Sequence, residues 1–204
     1  MQVFRFIRNL LILPLLSLAA LGSAGHAQEF LTCAPEGTTI QGAVSRESWI
    51  RHSRAILHQL GGDDVQAFFG FSPRLEIIPV PMPNAFAVGR DTITLSAGLL
   101  ESTASSAELA FVLAHEAGHL AMAHGEHVSP LVRDSTISSR IRSELAADRY
   151  AVTLLRAGGF DPAAGIALLT RLRGHVIDHG LDSEMLTPSL GVRLAALEGR
   201  IPPS

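Results

Sequence analysis

The sequence predicts an α+β fold, mostly α-helical with a small antiparallel sheet or hairpin, and three observations carry that expectation. Runs with apolar residues at helical spacing, opened by Ser or Asp and closed by Gly, fill most of residues 45–200. Between the first and second of them, β-branched and aromatic residues gather in short stretches near residues 75–95, punctuated by Pro and Gly. Removing a 27-residue leader from 204 leaves 177 residues, room for one core and too few for two.

The leader opens the chain. Arg5 and Arg8 make a basic start, Leu10 to Leu21 an apolar stretch, and Gly25-His26-Ala27 ends in a small residue suited to cleavage before Gln28. Residues 1–27 therefore read as a secretory signal peptide, its apolar part too short to span a bilayer comfortably. The expected address is the periplasm or the cell exterior. Without the leader, 14 arginines face 19 acidic residues, a formal charge of −5, which argues against a nucleic-acid partner and leaves membrane-surface association open. Lysine is absent. The lone Cys33 cannot form an internal disulfide, and although Leu31-Thr32-Cys33 faintly resembles a lipid-attachment site, it lies well past the apolar stretch.

Residues 28–44 read as an irregular segment, and residues 45–204 as the folded domain. Ser45 opens a helix carrying Trp49, Ile50, Ile56, Leu57 and Leu60, closed by Gly61-Gly62. His52 and His58 lie six apart on it, a spacing that does not stack them, so both read as surface or boundary residues. Asp63 to Phe69 makes a short helical turn, and Leu75 to Val80 a strand checked by proline. Asn84 to Leu95 reads as a hairpin around a Gly-containing turn. The hairpin strand Asn84, Ala85, Phe86 and Ala87 is a candidate substrate-binding edge, because an extended peptide can add to unpaired backbone groups whatever its side chains.

The next helix carries the chemistry. Ser105 and Glu108 have capping-box spacing, Gly125 is placed to end the helix, and within it stands His115-Glu116-Ala117-Gly118-His119. A separation of four puts both histidines on one face, able to share one metal ion, with Glu116 beside them. Zinc lowers the pKa of a bound water towards neutrality, and a neighbouring carboxylate can take that proton and return it to a leaving amine, the chemistry of peptide hydrolysis. Three ionisable groups in an otherwise apolar helix are costly without a metal or partners.

A catalytic zinc generally takes three protein ligands. The pattern H-E-x-x-H-x-x-G-x-x-H fails, since Met122 stands where Gly is required and Gly125 where the third His is required. His124 and His127 fall five and eight residues after His119, neither comfortable on a continuous helix. Beyond the irregular residues 126–139 a helix runs from about Ser139 to Ala157 with Glu144 and, one turn on, Asp148. Glu144 is the natural third ligand, and Asp148 is placed to accept the free ring N–H of a ligand histidine and fix its tautomer. A shared ion about 2 Å from each donor requires the carboxylate and both ring nitrogens to converge within about 4 Å. Asp161-Pro162 opens a further helix, and a last one follows Thr187-Pro188, near Ser189 to Gly199.

Taken together, His115-Glu116-Ala117-Gly118-His119 with His124, Glu144-Leu145-Ala146-Ala147-Asp148-Arg149, Asn84-Ala85-Phe86 and Gly159-Phe160-Asp161-Pro162 resemble the zinc metallopeptidases of the HtpX and CAAX-prenyl-protease type, over roughly residues 45–200. The resemblance implies a zincin-like fold of the gluzincin kind, one Zn²⁺ on His115, His119 and Glu144, Glu116 as general base and then acid, Asp148 orienting a ligand, and a peptide or unfolded-protein substrate in envelope quality control. One position departs from the family, whose His-Pro is followed by an arginine facing the cleft. Here Thr187-Pro188 is followed by Arg193. Arg193 is expected either to stabilise the oxyanion or to form an ion pair with Glu198, and His175 or His179 could stand in for the missing histidine. That departure also keeps open a zinc-binding chaperone or adaptor with weak or no proteolysis.

Overall fold

The computed structural model describes residues 45–62, 65–125, 137–178 and 186–200, with the side chains of 67, 68, 123–125, 137–140, 175–178 and 186–188 left aside. The leader, residues 28–44 with Cys33, and His127 and His179 lie outside the described residues, as do the side chains of His124, His175 and Thr187. The elements run α1 (Arg46–Gly61), α2 (Val65–Phe69), β1 (Arg74–Ile78), β2 (Ala85–Val88), β3 (Thr92–Ser96), α3 (Ala97–Ser102), α4 (Ser106–Gly125), α5 (Ile137–Ala157), α6 (Ala163–Asp178) and α7 (Leu186–Leu197). Among the described residues no helix is long and apolar enough to cross a membrane.

The α+β class holds, mostly helical with one small sheet. The hairpin of β2 and β3 is antiparallel as expected, with Phe86 opposite Thr94. The sheet as a whole is mixed rather than antiparallel, because β1 pairs with β3 in parallel, Leu75 opposite Ile93. The reason is the order of burial. Strand β3 carries Ile93, Thr94, Leu95 and Ser96, all buried, so it takes the centre, whereas β1 alternates and β2 is half-buried with Val88 exposed. The chain reverses twice between β1 and β3, and two reversals restore the original direction. Residues 79–84 must therefore cross the end of β3 to reach β2.

Helix α1 is capped as predicted, the Ser45 hydroxyl accepting from the Ser48 N–H at 3.1 Å, and it buries Trp49, Ile56, Leu57 and Leu60. Helix α4 is the core of the molecule, with every residue from Glu108 to Gly118 buried and α1, α5, α6 and the sheet packed around it. A helix apolar on all sides has no solvent face to lose and must be surrounded. At its start Ser105 Oγ accepts from the Glu108 N–H at 3.2 Å, while Glu108 reaches back to the N–H of Ala104, one residue earlier than a reciprocal capping box requires. The buried Glu108 carboxylate is also held by both terminal nitrogens of Arg171 on α6, a partner 63 residues away. Seating of α6 on α4 depends on Gly165, where a β-carbon would lie 2.4 Å from the ring of Phe111.

The crossing of α4 with α5 sets the spacing of the charged residues on both helices. At Gly118 a β-carbon would meet Tyr150 Cβ at 3.2 Å and Ala147 Cα at 3.3 Å, so the two backbones approach closely with little between them. Gly118 lies between His115 and His119, and Ala147 lies between Glu144 and Asp148. Close approach at that one point brings the two charged pairs face to face. Helix α7 begins at Leu186, three residues earlier than the sequence suggests, with Pro188 accommodated in its first turn. It turns Ser189, Leu190, Arg193 and Leu194 inward.

Candidate metal centre

Histidines 115 and 119 point their rings to the same side of α4, with centroids 4.7 Å apart and planes nearly perpendicular. Their Nε2 atoms are 3.1 Å apart. From α5, Glu144 brings Oε2 to 3.3 Å from His115 Nε2 and Oε1 to 3.4 Å from His119 Nε2. The convergence the sequence demands is thus met, and among the described residues these three form a group whose donor atoms all lie within 4.8 Å of one another.

Behind the donors stands a second layer of charge. His115 Nδ1 is 2.9 Å from Asp148 Oδ1, which is fully buried. With Asp148 accepting the Nδ1 proton, Nε2 is the ring atom directed at His119 and Glu144. Arg193 closes the far side, donating from Nε to Asp148 Oδ2 at 2.8 Å and from Nη2 to Oδ1 at 2.7 Å, with Nη1 3.0 Å from Glu144 Oε2. This bidentate fork is the strongest geometry available to an arginine and a carboxylate. Arg193 therefore pairs with Asp148 and Glu144; Glu198, the partner considered from sequence, pairs with Arg200 instead. An oxyanion role would draw on the guanidinium N–H groups not directed at these carboxylates.

The titration of these groups follows from their neighbours. Burial, the largest influence on His115, and the nearby Arg193 charge both push its pKa down, yet hydrogen bonds to Asp148 and Glu144 outweigh them and raise it to about 9. Burial tends to raise Glu144, but hydrogen bonds from both histidines and the charges of His115 and Arg193 hold it well below the usual carboxylate range. The same opposition operates at Asp148, where burial is overcome by Arg193 and His115, leaving it at about 2. Glu116 goes the other way: burial dominates and its pKa rises.

Two features make this donor set fit a metal ion. Glu144 Oε2 is buried, and its ion pairs with Arg193 Nη1 at 3.0 Å and His115 Nε2 at 3.3 Å fall short of ideal hydrogen-bond alignment, which leaves it lone-pair capacity for a cation. Secondly, two ring nitrogens 3.1 Å apart and facing one carboxylate bring three potential donor atoms towards a common point. Two imidazoles and a carboxylate suit zinc and leave a position open for water. Glu144→Gln is accordingly expected to lower zinc affinity by more than about 100-fold, and Asp148→Asn, which disturbs only the orientation of His115, by about 10–100-fold. Competition against a chromophoric chelator measures both, and undiminished affinity in Glu144→Gln would remove that residue from the ligand set.

A helical fold with a small mixed sheet, an H-E-x-x-H helix, and a glutamate supplied to it by the next helix are the features of a zincin-like fold with a candidate metal site. Residues 53–138 match the model of Peptidase family M48, and 52 residues are 46% identical to a protein named "Protease HtpX homolog" from Moorella thermoacetica. Both matches point to the HtpX-type M48 metallopeptidases as the proteins this chain resembles. That second match covers 24% of this chain and 17% of the relative's length. The family match ends before Glu144, Asp148 and Arg193, so the second half of the site rests on the contacts that α5 and α7 make with α4.

Sequence reading named His115, Glu116, His119, Glu144, Asp148 and Arg193, and the structure brings five of them together by direct contact: His115, His119, Glu144, Asp148 and Arg193. Glu116 is buried in the same helix, next to His115. Asn84 to Ala87 lie on and just before β2, the outer strand of the sheet on the side that contacts α4. Missed from sequence was the fork of Arg193 on Asp148, 45 residues apart, for which no local pattern exists.

Proposed function

We propose that this chain is an exported zinc-dependent endopeptidase that cleaves unfolded protein or peptide substrates and serves in protein quality control of the cell envelope. The observation that carries it is the convergence of His115 Nε2, His119 Nε2 and the Glu144 carboxylate beside the buried Glu116. One zinc ion per chain, held by those three residues, would supply a water of lowered pKa and polarise the scissile carbonyl. Glu116, its proton affinity raised by burial, accepts the proton of the attacking water and passes it to the departing amine. Asp148 holds the Nδ1 proton of His115 and so keeps its Nε2 available; Arg193 in turn holds Asp148. The substrate backbone pairs along Asn84 to Ala87, which allows cleavage with little sequence preference. Export rests on the Arg5, Arg8 and Leu10–Leu21 pattern of the leader. The Moorella thermoacetica relative is itself named a protease, in agreement with this activity.

The experiment pairs metal content with cleavage. Casein hydrolysis by the purified protein is expected to vanish on treatment with 1,10-phenanthroline and to return with one equivalent of zinc. Hydrolysis that persists in the metal-stripped protein would sink the assignment. Thr187, in place of the family histidine, favours one other reading, a zinc-binding chaperone or adaptor. Full zinc occupancy without cleavage, combined with suppressed aggregation of an unfolded client, would select it.

A further inference from the structure

Residues 79–84 cross the end of β3 to reach β2, and their sequence Pro79-Val80-Pro81-Met82-Pro83-Asn84 gives them few means of holding themselves. Three prolines remove three N–H donors, and the Val80 N–H is taken by Ile78 O at 2.9 Å. The carbonyls must find partners elsewhere. They find them at the junction of β3 with α3, where Ser96 is fully buried. Its hydroxyl donates to Met82 O at 2.6 Å and accepts from the Asn84 N–H at 2.8 Å and the Leu99 N–H at 3.1 Å. Its own N–H donates to Asn84 O at 2.9 Å, and two residues on, the Gly98 N–H donates to Val80 O at 3.0 Å. The crossing strap lies so close that a β-carbon on Gly98 would come within 1.9 Å of Pro81 O.

One hydroxyl therefore caps α3 and grips both ends of the Met82–Asn84 stretch that feeds β2. Strand β2 has only four residues, is half-buried, and among the described residues is laddered only to β3. Its line is set by that ladder and by the point at which the strap delivers it. We propose that Ser96 is a positioning residue for peptide binding: its hydroxyl fixes where Asn84 to Ala87 run beside α4, and so where a substrate strand docks relative to the metal centre. The inference rests on the proposed peptidase activity. It adds a residue outside the cleft that governs substrate affinity without touching the reacting atoms.

Ser96→Ala removes the three side-chain hydrogen bonds at once and leaves His115, Glu116, His119 and Glu144 untouched. The expected result on a quenched-fluorescence peptide is KM raised about tenfold, worth about 1.4 kcal/mol, with kcat within about twofold and zinc affinity unchanged. Hydrogen exchange of the β2 amides should quicken while that of α4 and α5 does not. Ser96→Cys, which keeps a side chain of the same shape but replaces the oxygen with a larger, weakly hydrogen-bonding sulfur, is measured in parallel in case the alanine variant does not fold, and a raised KM is expected there too. Wild-type KM in either folded variant, or a fall in kcat at constant KM, overturns the proposal. A wild-type protein that holds zinc and cleaves no peptide overturns the peptidase reading itself and this inference with it, and is recognised before any variant is made.

Discussion

Glu116→Gln is expected to slow peptide hydrolysis by about 10²- to 10⁴-fold while the protein keeps its zinc, because general acid–base catalysis is worth that much and the amide cannot take a proton. The substitution is nearly isosteric, an advantage at a buried position packed in the most enclosed helix of the molecule. It also removes a negative charge that acts on His115 and His119, so metal content is measured alongside kcat/KM. Full zinc with more than about a tenth of wild-type activity would show that another group carries the proton. Loss of zinc together with activity would make Glu116 a ligand and not a base.

The second large effect belongs to stability. Arg193→Met should destabilise the metal-free protein by about 3–5 kcal/mol, the usual result of removing one partner from a buried ion pair. The guanidinium is buried and directs Nε, Nη1 and Nη2 at oxygens of Asp148 and Glu144. Without it two buried carboxylates share the space with His115 as their chief counter-ion. At roughly 2–4 °C per kcal/mol for a chain of this size, the melting temperature should fall by roughly 6–20 °C. Zinc should restore part of the loss, since a divalent ion returns positive charge to the same carboxylates and binds only the folded form. Urea denaturation with and without metal provides the comparison, and a loss below about 1 kcal/mol would mean that solvent reaches these groups more freely than their burial indicates.

What the sequence made legible was whatever obeys local spacing. His115 and His119 are four apart, Glu144 and Asp148 are four apart, and each pair falls on one helix face by geometry alone. The Ser45 cap and the β2–β3 hairpin were readable for the same reason, being decided within a few residues. The parallel pairing of β1 was not, because strand order depends on which strand the surrounding helices bury most completely, and that is a property of the assembled core. Arg193 shows the limit from the other side. Its importance is hinted at by position, yet Glu198, five residues on, is as plausible a partner on paper as Asp148. Only the inward turn of α7, marked by buried Ser189, Leu190 and Leu194, decides between them. Ser96 was hidden more deeply, since a serine at the end of a strand reads as a helix cap and nothing in its neighbours announces three simultaneous hydrogen bonds.

The contact at Gly118 also bears on which ions can be accepted. With the Ala147 main chain and the Tyr150 side chain pressed against the glycine, the spacing between the two halves of the metal centre is set by close packing, which yields little. The distance between His119 and Glu144 thereby follows from how α4 and α5 pack. Calcium, which seeks six to eight oxygens at about 2.3–2.6 Å, is poorly matched to a site of two imidazoles and one carboxylate. A methyl group at position 118 would push the two helices apart and separate the histidines from the carboxylate they face.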